Sequence, residues 1–155
     1  MQRLLLVICF LLTSCQHNQI NSEIRGEMSL IGISAGNSIE ASEFYYHLAR
    51  LLRNNLGQNL KYNLEANLKY DSNILTLSKA DDKREVLNHT VHFKLYEQGK
   101  VIFEDTIKVH SSSPIYDNPV VSYTASGNAK EFMARRAAEL VYHRLLLFFK
   151  SSHSL

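Results

Sequence analysis

The sequence predicts an α+β fold: two helices packed on one face of a mainly antiparallel four-stranded sheet, in the order strand, helix, strand, strand, strand, helix. Three observations lead there. From Lys61 to Tyr70 polar and apolar residues alternate, so that Tyr62, Leu64, Ala66, Leu68 and Tyr70 share one side of a strand. Two further alternating segments, 84–96 and 100–110, flank Glu97-Gln98-Gly99, a hairpin signal. Between and after them, 38–56 and 128–149 repeat their apolar residues at helical spacing.

The elements follow in order. Met28–Ser34 is apolar, carries β-branched residues and is bounded by Ala35-Gly36-Asn37, which makes it a first strand. Ser38–Leu56 is a helix with Phe44, Leu48, Leu51, Leu52 and Asn55 on one side and Gly57 as its stop. Its acids Glu40 and Glu43 come early and its bases Arg50 and Arg53 late, as the helix dipole favours. After the alternating second strand, the third places Leu87, Val91, Phe93 and Leu95 inward, and the fourth Val101, Phe103, Ile107 and Val109. Reading Glu97-Gln98-Gly99 as a three-residue turn pairs Tyr96 with Lys100, Phe93 with Phe103, Val91 with Asp105 and Leu87 with Val109. That register aims Asp105 into the core beside His89; a bulge at Glu104-Asp105 turning the carboxylate outward is the preferred solution over a buried His–Asp pair. Pro114 and Pro119 mark the main irregular loop. Asn128-Ala129-Lys130-Glu131 then resembles a capping box, and a helix runs to about Phe149 with Phe132, Met133, Ala137, Leu140, Val141, Leu145 and Phe148 on its buried face.

Leu4–Leu12 is a run of nine apolar residues directly after Met1-Gln2-Arg3. A helix needs about 20 residues to cross a bilayer, so the run cannot span one; its length suits the hydrophobic region of a secretory signal. Leu12-Thr13-Ser14-Cys15 resembles the lipobox of bacterial lipoproteins. The resemblance implies cleavage before Cys15, a diacylglyceryl group on its thiol and an acyl group on the new amine, an anchor made stable by its several chains. Residues 1–14 are then a signal peptide, and their removal from the 155 leaves 141, enough for one domain with a real core. Polar 15–27 reads as a lipidated tether, 28–150 as the domain and 151–155 as a tail. Cys9 leaves with the signal, so the mature chain has no thiol for a disulfide. Gln16 is not the aspartate of an inner-membrane retention signal, which implies the outer membrane as destination.

Loss of Arg3 takes 17 basic residues to 16 against 15 acidic ones, a balance that offers no field for nucleic acid. His89 and His92 stand three apart on a strand and face opposite sides, while His47 and His143 lie on different helices, so no metal site is expected. No Gly-x-Ser-x-Gly elbow and no glycine-rich phosphate loop occur, and the acids lie in mixed runs such as Asp81-Asp82-Lys83-Arg84-Glu85. The sequence therefore points away from an enzyme, a catalytic residue or a cofactor.

Several stretches carry a further resemblance: LARLLRNNLGQNL at Leu48–Leu60, Arg84 before the third strand, YDNP at Tyr116–Pro119 with Ser122-Tyr123 after it, and RRAAELVYHRLL at Arg135–Leu146. With the lipobox and the element order, they resemble the lipopolysaccharide-assembly lipoprotein family of the LptE type, over most of the mature chain. The resemblance implies an outer-membrane lipoprotein that plugs and helps assemble a large β-barrel partner, LptD, and takes part in delivering lipopolysaccharide to the outer leaflet. Lys79, Lys83 and Arg84, near the turn between the second and third strands, are the candidate lipopolysaccharide contacts, arginine as a bidentate phosphate fork and lysine as a point charge. Here the chain departs from the family, whose basic character in this region is cleaner; Asp81, Asp82 and Glu85 are interleaved. Another outer-membrane accessory lipoprotein, such as a secretin pilotin, or a lipid-anchored periplasmic enzyme remains an alternative.

Overall fold

The computed structural model describes residues 22–34, 39–53, 60–76 and 83–152. Cys15, residues 1–14 read as a signal peptide, Gly57 and Lys79 lie outside them. Seven elements follow: helix α1 (22–29), strand β1 (Ile31–Ile33), helix α2 (Ile39–Leu52), strands β2 (Tyr62–Thr76), β3 (Lys83–Glu97) and β4 (Lys100–Ile115), and helix α3 (Pro119–Ser152). The sheet order is β1-β2-β3-β4, with β1 parallel to β2 and the other pairs antiparallel. The helices cover one face, as the periodicity predicts.

Helix α1 corrects the reading of 22–27 as part of the tether and of Met28 as the start of a strand. Ile24 and Met28, four apart and so on one side of a helix turn, are each 1% exposed. Tyr62 Oη donates to Glu27 Oε2 at 2.6 Å, and Lys61 Nζ lies 3.3 Å from the same oxygen. A segment with two buried apolar residues and a tied carboxylate belongs to the domain. The first strand shrinks accordingly to three residues.

The hairpin between β3 and β4 differs from the predicted one in two compensating ways. Gln98 and Gly99 both have positive φ, 49° and 77°, the signature of a two-residue type I′ turn, so Glu97 pairs with Lys100. The register then shifts between Leu95 and Tyr96, leaving Ile102 as the extra residue of a bulge. Each change moves the pairing by one position. Because side chains alternate with period two, the sum keeps Phe103, Ile107 and Val109 on the inner face and turns Val101 outward, where it is 47% exposed. His89 therefore pairs with Val109 and Asp105 with Phe93, and no bulge forms at Glu104-Asp105. Asp105 stays on the helix side at the sheet margin, accepting from the Thr106 amide at 2.7 Å and facing Arg144 Nε of α3 at 3.4 Å.

Helix α3 begins nine residues before the predicted capping box. Asn118 is its N-cap, with Oδ1 accepting from the Val120 amide at 3.0 Å, and Pro119 fills the first helical position, where a missing N–H costs nothing. Ser122 Oγ accepts from the Tyr116 amide at 2.7 Å and donates to the Tyr116 carbonyl at 2.9 Å, which fixes the chain entry. The predicted inner face holds at Met133, Ala137, Val141 and Leu145, whereas Phe132 is 49% exposed.

The core lies between this helix, α2 and the sheet. Phe44 and Leu48 of α2 and Leu64, Val91, Phe93 and Leu95 of the sheet are fully buried within it. Phe103 stacks on Phe148 at 4.8 Å, and Tyr62 meets Phe149 edge-on at 5.2 Å. On the opposite face polar groups pair with one another: His92 with Thr106 at 2.7 Å, His110 with Asn88 at 2.6 Å, Lys94 with Glu104 at 3.4 Å. From Asp71 to Thr76 every residue of β2 is exposed, so the β2–β3 end projects past the core, with Ile74 and Leu75 open on its opposite faces.

Candidate functional site

Two of the three nominated basic residues lie within the described strands. Lys83 pairs with Thr76 and Ile115, and Arg84 with Leu75 and Pro114, at the projecting end of the sheet; both are exposed. Successive strand residues face opposite sides. Glu85 accepts from Ser126 Oγ of α3 at 2.8 Å, which marks its side as the helix-covered one and puts Lys83 there too, with Arg84 opposite. The pair is thus brought to one end but not to one face. Around that end stand Tyr116, Val120, Val121 and Tyr123, the last 83% exposed, so the basic groups border an apolar rim.

A second basic constellation, which the sequence reading missed, lies toward the other end of the helices. Residues of α1, the last turn of α2 and the middle of α3 enclose a cleft of about 560 Å³. Arg25, Arg50, Arg53 and Arg135 line it over a floor that includes Met28, Leu52 and Tyr142. Arg50 and Arg53 share a helix side at i, i+3 spacing. Arg53 itself closes α2 with φ 52°, a left-handed conformation usually given to glycine or asparagine, and its amide donates to the Arg50 carbonyl at 3.4 Å. Glu139 also lines the cleft, but its Oε2 accepts from Arg136 Nη1 at 2.9 Å. Arg135 sits 5.8 Å from the Phe132 ring centroid. Among the described residues Arg25, Arg50 and Arg53 make no side-chain ion pair.

His89 is the most deeply buried titratable group among the described residues. It is 0% exposed, stacks on Tyr70 at 3.9 Å with the rings 14° from parallel, and neither ring nitrogen has a hydrogen-bond partner among the described residues. Burial pushes its pKa down to about 4, only partly opposed by the nearby Met133 backbone, so the ring is neutral near pH 7. Tyr45 Oη donates to the Ala66 carbonyl at 2.9 Å, and burial raises its pKa. Among the described residues no group of three His, Cys, Asp or Glu is placed to hold a metal ion, and no helix is long and apolar enough to cross a membrane.

No protein-family model matches the chain, and no curated protein sequence matches it. Its fold does match solved structures. A protein described as a lipoprotein from Caulobacter crescentus superposes with a TM-score of 0.69 at 18% identity, over 83% of this chain and 96% of that one. Rare lipoprotein B from Shewanella oneidensis gives 0.56 at 14% identity over 80% and 94%. Lipoprotein B from Nitrosomonas europaea gives 0.58 at 15% over 76% and 81%. The chain shares the fold of these lipoproteins.

Proposed function

We propose that this chain is a lipid-anchored outer-membrane lipoprotein that plugs and helps to assemble an LptD-type β-barrel and takes part in delivering lipopolysaccharide to the outer leaflet, with no catalytic step of its own. The observation that carries the reading is the coincidence of two independent features: a lipobox-like Leu12-Thr13-Ser14-Cys15, and a folded domain shared over most of its length with solved lipoproteins. Cys15 is the lipidated residue. A plug needs a firm core, a polar surface for the barrel lumen and a place to dock. Here the helix-free sheet face is polar and largely self-paired, and the projecting end offers an apolar rim of Val120, Val121 and Tyr123 for docking. Lys83 and Arg84, with Lys79 preceding them, are the proposed contacts to lipid A phosphates. Since Lys83 and Arg84 face opposite sides, each takes a separate phosphate rather than sharing one.

The test is a pull-down of the tagged full-length lipoprotein from detergent-solubilised outer membranes, with copurifying proteins identified by mass. One large β-barrel at near-equal amount, depleted by Val120→Asp with Tyr123→Asp and by Cys15→Ala, supports the plug. A lipidated protein that brings down no barrel overturns it, and capture of a secretin instead moves the protein to the pilotin class. Replacing Lys79, Lys83 and Arg84 together with alanine weakens lipopolysaccharide binding at physiological salt; unchanged binding removes the three residues from the site.

A further inference from the structure

We propose that the arginine cleft formed by Arg25, Arg50, Arg53 and Arg135 is a phosphate-binding site, separate from the basic end of the sheet. Four arginines from three elements line one concavity, and three of them have no ion-pair partner among the described residues. Like charges gathered this way repel, and an anion in the cleft offsets the repulsion. The one carboxylate of the lining is engaged by Arg136. The dipole of α2 accounts for Arg50 and Arg53 at its C-terminus, but it does not account for Arg25 on α1 or Arg135 in mid-α3.

The chemistry favours phosphate over carboxylate. A carboxylate has two oxygens, which one or two arginine forks satisfy, whereas a phosphate presents more oxygens in a tetrahedral array and accepts forks from several directions. Its source is either a free ion or a lipid headgroup. The position of α1 favours the headgroup: six residues separate Cys15 from Ser22, a reach of at most about 25 Å. The preference for a headgroup rests on the anchored reading; the binding of phosphate does not.

The experiment titrates the full-length lipidated protein in non-ionic detergent, calorimetrically, with inorganic phosphate and separately with dihexanoyl phosphatidylglycerol. Saturable binding is expected, weakened about tenfold or more by Arg50→Ala with Arg135→Ala and left unchanged by Lys100→Ala with Lys108→Ala, which removes two exposed cations from β4. Stronger binding of the phospholipid identifies the headgroup as the ligand, and equal or stronger binding of the ion identifies free phosphate. Arg50→Lys with Arg135→Lys keeps charge and stem while removing the forks, so a loss there reports ligand geometry even if the alanine pair folds poorly. Absence of saturable binding to either probe, or an equal loss in the Lys100 and Lys108 pair, overturns the proposal. No barrel is present in the titration, so its failure and that of the plug reading are told apart.

Discussion

His89 sits where an apolar residue would be simpler. Its ring is enclosed by Tyr70, Val109 and the underside of α3, and both nitrogens are unbonded among the described residues. The sign of its effect on stability follows from its lowered pKa. The unfolded chain takes up a proton near pH 6.5, while the folded one refuses it until about pH 4. Stability from this group is therefore whole above pH 6.5 and falls as pH drops toward 4, by about 2 kcal/mol between pH 7 and pH 5. His89→Leu removes that proton linkage and should leave the urea midpoint at pH 7 unchanged or higher, with a much shallower decline to pH 5; an equal decline in variant and parent contradicts the assignment. At this scale the sequence was a partial guide. The alternation placed His89 inward, but Asp105, expected opposite Val91 and beside His89, pairs with Phe93 instead, because register depends on a turn and a bulge that alternation cannot see. The arginine cleft was hidden for another reason: Arg50 and Arg53 already make sense as dipole partners, and Arg25 stands in a polar stretch whose two buried residues, Ile24 and Met28, are too few to announce a helix.

The β3–β4 hairpin shows how elements were legible when their details were not. Its strands are specified by alternation over many residues, so both were readable, and an error of two positions in register left the inner face intact. The turn is decided by two residues alone. Gln98 must adopt φ 49°, which asparagine tolerates better, and Gly99 φ 77°, which glycine adopts freely. Gln98→Asn should stabilise the protein by about 0.5 kcal/mol, and Gly99→Ala should destabilise it by about 1 kcal/mol without steric conflict, since nothing lies within 4 Å of the Cβ it would add. Thermal midpoints that moved the other way would exclude the type I′ geometry. For α3 the start signal was present in Asn118-Pro119, yet the exposed, weakly helical stretch through Gly127 has no apolar periodicity to connect it with the helix beyond. There the cap, with Ser122 and the Glu85–Ser126 contact, does what periodicity does elsewhere.

Across the whole molecule the layers divide the labour: one sheet face and two long helices make the core, while the projecting end and the cleft near α1 gather exposed basic groups. Fold class was readable because it is written in many residues at once; the proposed function is written in few, Cys15 and the residues of the two basic regions. The brevity of β1 has its own consequence. It covers only Tyr62, Asn63 and Leu64 of β2, so from Glu65 onward that strand has a described neighbour on the β3 side alone. Leu64 gives its carbonyl to the Ser34 amide of the β1 side, and Ala66 gives its own to Tyr45, so the even-numbered peptide groups point away from β3. Amide hydrogens of Leu68, Ser72 and Ile74 should then exchange with deuterated water much faster than those of Asn67, Asp71 and Asn73, an alternation that residue-resolved exchange would read directly. A strand contributed by another chain along this margin would erase the alternation, which makes exchange measured with and without the partner a direct report of whether β2 is where the two proteins join.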